Sequence, residues 1–354
     1  MKIYLYNKDY SEQSNRQMQT IIPYLSRYKI YSDDKWEDLL NNMYEIKNLG
    51  LERFLTHEGE KGIIFFTIMD GHKLLRYKKK YNNILYIFRP RGLLPEESYY
   101  KHGSRLRKKV LNYIERKAIR TTDYFIFLQD MQRVHFLSKY QEFTEKFENY
   151  SILPNISTVE VDNYSLKDMK QTISLLYSGG FSEWQNIDYV FKLVSDIIKG
   201  NNTTESGITI KFKILTFEHN FDIVRHYIHK YSIENDTDFE YVKPNQMSNE
   251  LIKHDIGIII RDSNVVNVAA SPFKIMDYVS HGLGLIITNN NQNHVSGLLN
   301  EDNYYALRFA NGKLDYDVNE LTKFIKRFNG INRKLDILKN YKRYLSRVKP
   351  INID

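Results

Sequence analysis

The most informative feature of the sequence is the stretch Ser271-Pro-Phe-Lys-Ile-Met-Asp-Tyr-Val-Ser-His-Gly282, which is followed by the apolar run from Leu283 to Thr288. It predicts a helix that begins near a proline, ends at a glycine and leads into a buried strand. Ser271 is a residue type that caps helices, and Pro272 is tolerated in the first turn because the amides there have no intrahelical partners. A helix that leads into a buried strand is typical of α/β proteins.

The same stretch carries two charged residues that suit a nucleotide. Lys274 lies in the first helical turn, and Asp277 lies one turn further along nearly the same face. The free amides of a helix start attract anions, and a lysine beside them adds positive charge. A carboxylate one turn away can accept hydrogen bonds from ribose hydroxyls. The stretch therefore predicts a binding site for a nucleotide diphosphate.

Apolar runs bounded by turn residues recur along the chain, and segments long enough for helices separate them. The first series lies at 3–6, 63–69, 84–88 and 124–128, and the second at 173–177, 208–215, 239–242, 256–260 and 285–288. This alternation predicts two mainly parallel sheets, each covered by helices on both faces. The stretch from about 148 to 169 is mostly polar, so we place the boundary between a domain at 1–160 and a domain at 161–334 there.

Three segments resemble bacterial GT-B glycosyltransferases of the retaining family 4 type. Ser271 to Gly282 resembles their Pro-x-Lys-x-x-Glu-Tyr-x-x-x-Gly segment, with Asp277 in place of Glu. Leu176 to Asp188 resembles the strand, glycine loop and helix that open the donor domain, and Arg91-Gly92 with residues 115–123 resembles the end of the acceptor domain. The resemblance implies two doubly wound Rossmann-like domains that face a central cleft. It also implies that a C-terminal helix at about 335–354 completes the N-terminal, acceptor-binding domain.

On the donor side, the candidate residues follow two predicted strands and open the predicted helix. The glycines of the pair Gly179-Gly180 would let the backbone approach a phosphate closely, although an ordinary strand-to-helix turn is an equal alternative. Arg261 ends a buried run, where its planar guanidinium suits phosphates; the alternative is a surface ion pair with Asp262 or Asp255. Together Arg261 and Lys274 would neutralise the leaving diphosphate, so we expect no metal and no cofactor. The predicted donor site comprises Gly179, Gly180, Arg261, Ser271, Pro272, Lys274 and Asp277.

On the acceptor side, polar residues follow two strands of the first series. Asp70-Gly-His72 follows the run at 63–69, and Arg91-Gly92 follows the run at 84–88. We take His72, with Arg261 and Lys274, as a candidate catalytic residue. Asp70, His72, Arg91 and Gly92 form the predicted acceptor-side cleft.

The stereochemical outcome is open at the level of sequence. Many family members carry a Glu-x7-Glu pair, whereas Ala269 stands at the first of these positions here. A retaining enzyme needs no general base of its own, because the departing diphosphate can take the proton. An inverting enzyme would need one, and Asp70 or His72 would then serve.

Composition limits the remaining functions. The formal net charge is +8, and residues 101–120 and 323–347 are strongly basic. These segments predict either solvated helix faces or a surface for anionic membranes, where Leu106, Val110, Leu111 and Ile114 would supply an apolar side. The N-terminus begins with a strand pattern rather than a signal peptide and no apolar run is long enough to span a membrane, so we expect a cytoplasmic protein, peripheral at the inner face of the cell membrane. The lack of cysteine excludes disulfides and thiolate metal sites but does not identify the compartment. A nucleic-acid-binding protein is the remaining alternative, but no nucleic-acid motif supports it.

The resemblance to family 4 enzymes implies a glycosyltransferase in bacterial surface polysaccharide assembly. The resemblance implies a nucleotide-sugar donor, most commonly a UDP-sugar, and a glycan or lipid-linked acceptor.

Overall fold

The structure, a computed structural model, describes residues 1–9, 12–33, 45–157, 171–202, 207–289, 295–310, 312–329, 331–348 and 351–353. The chain forms two compact units. The first comprises residues 1–158, 268–271 and 348–354, and the second comprises 159–267 and 272–347. Each unit contains one seven-stranded sheet.

The sheet of the first unit is parallel throughout, in the order β3-β2-β1-β4-β5-β6-β7. Its strands are β1 Lys2–Tyr6, β2 Lys29–Ser32, β3 Ile46–Asn48, β4 Lys61–Phe65, β5 Leu85–Phe88, β6 Tyr124–Phe127 and β7 Tyr150–Ile152. The central strand β4 is buried along its whole length, as expected of a parallel strand covered on both faces.

Helices alternate with these strands. They are α1 Glu12–Ile21, α2 Leu51–Thr56, α3 Ile68–Lys80, α4 Leu94–His102, α5 Arg105–Thr121 and α6 Asp130–Lys139. Much of the core of this unit is aromatic: Phe65 stacks on Phe88 at 4.8 Å between ring centroids, and Phe125 stacks on Phe127 at 5.2 Å. Ala269 belongs to this core, so the short segment 268–271 packs in the first unit.

The second unit has the strand order β10-β9-β8-β11-β12-β13-β14, parallel except for the antiparallel β14. Its strands are β8 Thr172–Ser178, β9 Thr209–Leu215, β10 Thr237–Glu240, β11 Ile256–Ile259, β12 Gly284–Thr288, β13 Tyr304–Ala310 and β14 Lys313–Asp315. Its helices are α7 Ile187–Asn202, α8 Phe221–Tyr231, α9 Met247–Leu251, α10 Val265–Val268, α11 Phe273–Ser280, α12 Val318–Lys326 and α13 Ile331–Leu345.

The prediction of two mainly parallel α/β sheets is confirmed, with corrections at particular elements. The apolar run at 63–69 is not one strand, because β4 ends at Phe65 and Ile68 already opens α3. The C-terminal helix α13 belongs to the second unit, and only residues 348–354 join the first. There Ile351 donates its amide to the Tyr24 carbonyl at 3.1 Å. The predicted boundary at 160/161 lies outside the described residues.

None of the helices in the described ranges combines the length and apolar character that crossing a bilayer requires.

Candidate functional site

The candidate donor site lies at the carboxyl edge of the second sheet. Strand order reverses between β8 and its neighbour β11, because the connection after β8 leads to β9 on one side while β11 lies on the other. Ligands of open α/β sheets bind beyond such a switch point. Gly179 and Gly180 follow β8 directly, and Arg261 lies two residues beyond the end of β11.

Lys274 reaches from the first turn of α11 to the loop after β8. Its Nζ donates to Tyr177 Oη at 3.1 Å and to Gln185 Oε1 at 2.9 Å, and it lies 4.2 Å from the centroid of the Tyr177 ring. A Cβ on Gly179 would lie 2.5 Å from Lys274 Cε, and Gly179 has φ +132°. Only glycine tolerates both the positive φ and the nearby Lys274 side chain without strain. The absence of a side chain at Gly179 therefore lets Lys274 lie directly against the loop.

Arg261 places a second cation beside Lys274. It is 7% exposed, and its main chain is held by Thr288, whose hydroxyl accepts from the Arg261 amide at 3.1 Å and donates to the Arg261 carbonyl at 2.7 Å. Burial and then the charge of Arg261 hold the pKa of Lys274 well below its usual value, whereas Asp277 opposes this shift. Two neighbouring cations in a partly dehydrated place favour an anionic ligand.

Asp277 lies one turn after Lys274 on α11 and is partly buried. Its carbonyl accepts from the Ser280 hydroxyl at 3.0 Å and lies 2.6 Å from His281 Nδ1, which closes the end of the helix. The structure thus places the predicted carboxylate and the predicted ammonium on one helix, with the ammonium against the glycine loop.

The residues that bind the Lys274 side chain were not predicted from the sequence. Gln185 accepts a hydrogen bond from Lys274. Tyr177 donates its hydroxyl to the Gly180 carbonyl at 2.7 Å, and the Ser178 amide donates to Tyr278 Oη at 2.7 Å. No local pattern marks these tyrosines, because their role depends on strands and helices that meet only in the fold.

The prediction that Ser271 caps the helix is wrong. The N-cap residue of α11 is Pro272, and no side chain caps the helix there. The Ser271 hydroxyl accepts instead from the Asn155 amide at 3.1 Å, and the Ser271 carbonyl accepts from Asn155 Nδ2 at 2.6 Å. Because Asn155 uses both groups, Ser271 anchors the segment 268–271 in the first unit rather than preparing the helix start for an anion.

Ala269 stands at the first position of the Glu-x7-Glu pattern. Its side chain is 1% exposed and lies in the aromatic core of the first unit. Gln129 Nε2 donates to the carbonyls of Val268 and Ala270 at 2.5 and 2.8 Å, which fixes the main chain on either side. An acid at this position would place a charge in an apolar core.

Asp70 and His72 do not lie in a loop after a strand, as the sequence suggested, but in the first turns of α3. The Thr67 side chain accepts from the Asp70 amide at 3.0 Å and its hydroxyl donates to Asp70 Oδ2 at 2.7 Å, as in a helix cap. Burial raises the pKa of Asp70 despite the Thr67 hydrogen bond. His72 is exposed.

Arg91 and Gly92 lie beyond β5, as predicted. Arg91 Nη1 donates to Asp9 Oδ2 at 2.8 Å, and its Nε and Nη2 are buried without a hydrogen-bond partner among the described residues. Burial lowers the pKa of Arg91 although Asp9 favours the charged form. A Cβ on Gly92 would lie 2.2 Å from Glu97 Oε1, which itself accepts from the Leu93 amide at 3.0 Å. Gly92 therefore makes room for the start of α4.

Several solved structures are similar to this chain in fold. The structure of the E. coli trehalose-6-phosphate protein bound with UDP-2-fluoro glucose superposes with a TM-score of 0.60 at 10% identity, covering 97% of this chain and 96% of that one. HepE of Anabaena in complex with UDP gives 0.55 at 12% identity, covering 99% and 96%. The chain has the GT-B fold.

The GtfA/B complex gives a TM-score of 0.56 at 13% identity over 84% of this chain. The present chain spans little more than half, 56%, of the matched chain in that complex. No protein-family model and no curated protein matches the sequence. These likenesses therefore concern the fold.

Proposed function

We propose that the protein is a glycosyltransferase that uses a nucleotide-sugar donor bound at the carboxyl edge of the second sheet. The observation that carries the proposal is the arrangement of Lys274 and Arg261 beside the Gly179-Gly180 loop. The charge of Arg261 lowers the pKa of Lys274, so the two side chains repel each other in the free protein, and a pyrophosphate would relieve that repulsion. Asp277 is the proposed partner of the ribose hydroxyls.

The chemistry that these residues supply is charge stabilisation at the leaving group. As the bond between the sugar and the diphosphate breaks, negative charge grows on the phosphate oxygen, and Lys274 and Arg261 stabilise it. In a retaining reaction that oxygen takes the proton of the acceptor hydroxyl on the same face of the sugar. We propose this retaining, metal-independent course because two cations are already present for the diphosphate.

The alternative course is inverting, and Asp70 is the residue that favours it. Its raised pKa would suit a general base, although its carboxylate also accepts a hydrogen bond from the Thr67 hydroxyl. His72, the other base candidate, is exposed. The anomeric configuration of the product, read by NMR, separates the two: a product of opposite configuration to the donor would overturn the retaining proposal.

We propose UDP-sugars as donors and a glycan or lipid-linked acceptor in bacterial surface polysaccharide assembly. Two proteins of the same fold are seen with UDP or UDP-2-fluoro glucose, which supports the choice of nucleotide. A lipid-linked acceptor would bring the protein to the inner face of the cell membrane, where the exposed apolar and basic side chains of α5 would contact anionic lipids.

The test is a metal-free thermal-shift and calorimetric screen of UDP, GDP, ADP and CMP and their sugar conjugates. A bound nucleotide stabilises the folded protein by mass action, so the melting temperature of the wild type should rise with one diphosphate. Asp277→Ala and Lys274→Met should abolish that rise. Asp222→Ala is the matched control, because its carboxylate is 95% exposed on α8.

If no nucleotide or conjugate raises the melting temperature of the wild type, the donor site proposed here is wrong. If duplex DNA binds more tightly than every nucleotide, the nucleic-acid alternative replaces it.

A further inference from the structure

Three aromatic rings form an exposed surface beside the glycine loop, and we call Phe217, His219 and Tyr241 the aromatic platform. Phe217 lies two residues beyond the end of β9, and Tyr241 directly follows β10. Phe217 is 50% exposed and Tyr241 is 41% exposed. Large aromatic side chains exposed at the ligand-binding edge of a sheet call for a partner, since burying them is favourable.

The platform adjoins the proposed donor site through Gly180. A Cβ on Gly180 would lie 3.8 Å from Phe217 Cε2, which is ordinary van der Waals contact. The preceding residue, Gly179, is in contact with Lys274. The two-glycine loop therefore has an ammonium at one residue and an aromatic ring at the next.

The rings of the platform are aligned but leave much of Phe217 open. The ring planes of Phe217 and His219 are nearly parallel, with an angle of 8° between them and 5.5 Å between their centroids. The ring planes of Phe217 and Tyr241 are inclined by 27°, with 6.3 Å between their centroids. Centroid separations of this size describe offset rings that overlap only in part. Phe217 remains 50% exposed beside these two neighbouring rings.

The main chain that bears Phe217 is firmly held. The Asn220 amide donates to the Phe217 carbonyl at 2.9 Å, and Asn220 Nδ2 donates to the Thr216 hydroxyl at 3.0 Å. The Gly179 amide donates to the Leu215 carbonyl at 2.8 Å, which ties the glycine loop to the end of β9. The ring and the loop are thus positioned before any ligand arrives, so little ordering is needed on binding.

We propose that the base of the nucleotide stacks on the aromatic platform, chiefly on Phe217, while the diphosphate lies against Lys274 and the glycine loop. A nucleoside diphosphate is apolar and planar at one end and anionic at the other, which matches the aromatic and cationic ends of this surface. Stacking tolerates any base, since every base presents a π face. This inference rests on the proposed donor site and names the part of the donor that Phe217 recognises.

The test compares UDP with inorganic pyrophosphate by calorimetry on wild type and variants. Phe217→Ala should weaken UDP binding roughly tenfold and leave pyrophosphate binding unchanged, because only UDP has a base. Phe217→Trp should retain UDP binding. Lys274→Met should weaken both ligands. Leu335→Ala removes another exposed apolar side chain, 44% exposed on α13, and should change neither.

The outcomes separate this inference from the proposed function. Equal UDP affinity in Phe217→Ala and wild type would overturn the base platform and leave the donor site standing, as would wild-type affinity for UDP no greater than for pyrophosphate. A wild type that binds neither ligand would remove both proposals. A melting temperature of Phe217→Ala close to that of the wild type confirms that the variant is folded.

Discussion

At the scale of single residues, Lys274 of the proposed donor site lies in surroundings that disfavour its charge. Its ammonium is removed from much of the water, and Arg261 repels it, so the pKa of Lys274 is well below its usual value. Tyr177 and Gln185 offset part of this cost through hydrogen bonds. A charge held in such surroundings is costly in the absence of a ligand.

The depressed pKa of Lys274 predicts a dependence of stability on pH. Between the folded-state pKa and the usual 10.5, the unfolded chain binds more protons than the folded one, so the free energy of unfolding rises with pH. We expect the ligand-free wild type to gain stability relative to Lys274→Met between pH 8 and 10. Denaturant unfolding at each pH measures this gain, at most about 1.4 kcal/mol for each pH unit. Parallel pH profiles of the two proteins would contradict the burial of this charge.

Gly179 is the second residue whose identity is determined by its surroundings. In Gly179→Ala the new methyl group would meet Lys274 in a main-chain conformation that alanine rarely adopts. We expect this variant to lose nucleotide binding by displacing the ammonium, and to lose roughly 1–3 kcal/mol of stability. Gly207→Ala, also at positive φ but with no atom within 4 Å, is the control for strain alone. Unchanged UDP affinity in Gly179→Ala would contradict the contact between loop and lysine.

At the scale of elements, the packing of α11 on β11 depends on one missing side chain. A Cβ on Gly257, in the middle of β11, would lie 2.1 Å from Tyr278 Cδ2. Tyr278 is buried and its hydroxyl accepts from the Ser178 amide at the end of β8. The helix that carries Lys274 and Asp277 is therefore seated on the sheet through this ring.

Gly257→Ala should consequently destabilise the protein by roughly 1–3 kcal/mol, the usual effect of overpacking a core. It should also weaken UDP binding, because α11 must move away from the sheet. Gly297→Ala, which meets no atom within 4 Å, should have little effect on either quantity. Thermal unfolding and calorimetry of the two variants measure this, and equal stability of both would refute the close packing.

The turn between α9 and β11 contains a buried histidine whose environment opposes charge. Burial lowers the pKa of His254 to about 4, although Glu250 and Asp255 favour the charged form. Ser174 Oγ lies 2.7 Å from its Nδ1, and Lys334 of α13 lies 3.4 Å from Asp255 Oδ1. This cluster joins α13 to the start of the strand that leads to Arg261.

Acid should therefore weaken this part of the second unit. Below pH 6.5 His254 binds a proton in the unfolded chain, whereas in the folded chain it stays neutral until about pH 4. The free energy of unfolding therefore falls as pH falls from 6.5 to 4. We expect the wild type to lose roughly 1–3 kcal/mol more than His254→Gln between pH 6.5 and 4. Exposed His226→Gln is the control. A wild type and a His254→Gln variant that lose stability equally would contradict the assignment.

At the scale of the whole molecule, the net charge of +8 and the exposed face of α5 bear on the proposed contact with anionic lipids. Of the four apolar residues predicted for this side of α5, Leu106 and Val110 are 74% and 51% exposed, whereas Leu111 is buried and Ile114 packs against the core. Tyr113, 59% exposed, extends the same stripe because it follows at helical spacing. The exposed side chains of Arg105, Lys109 and Arg120 flank it.

We predict that the double variant Leu106→Ser/Val110→Ser binds vesicles containing phosphatidylglycerol at least roughly tenfold more weakly than the wild type, because apolar burial is lost. Added salt should weaken wild-type binding through screening of the basic side chains. Ile223→Ser/Leu335→Ser removes two exposed apolar side chains of the second unit and should retain binding. Cosedimentation measures each affinity. If the wild type does not sediment with these vesicles at low salt, α5 is a solvated face.

The sequence by itself determined those features that depend on neighbours along the chain. Apolar runs at strand length, separated by helix-length segments, predicted both parallel sheets, because a strand buried on both faces needs a continuous apolar run. The spacing of Lys274 and Asp277 placed them on one side of a helix for the same local reason. The strands β2, β3, β7 and β14, which lie toward the sheet edges, lack such runs and were missed. The strand β13 was also missed, although it begins with the apolar residues 304–307.

The contacts of the candidate site residues depend on the tertiary structure. Lys274 donates hydrogen bonds to Tyr177 and Gln185, which lie 97 and 89 positions earlier in the chain. Ser271 accepts from Asn155, 116 positions away, instead of capping its helix. His72 is exposed and Asp70 buried although they are two positions apart, because the turn of a helix separates their directions. Hydrogen bonds and burial join residues that the chain brings together only on folding, so no local pattern records them.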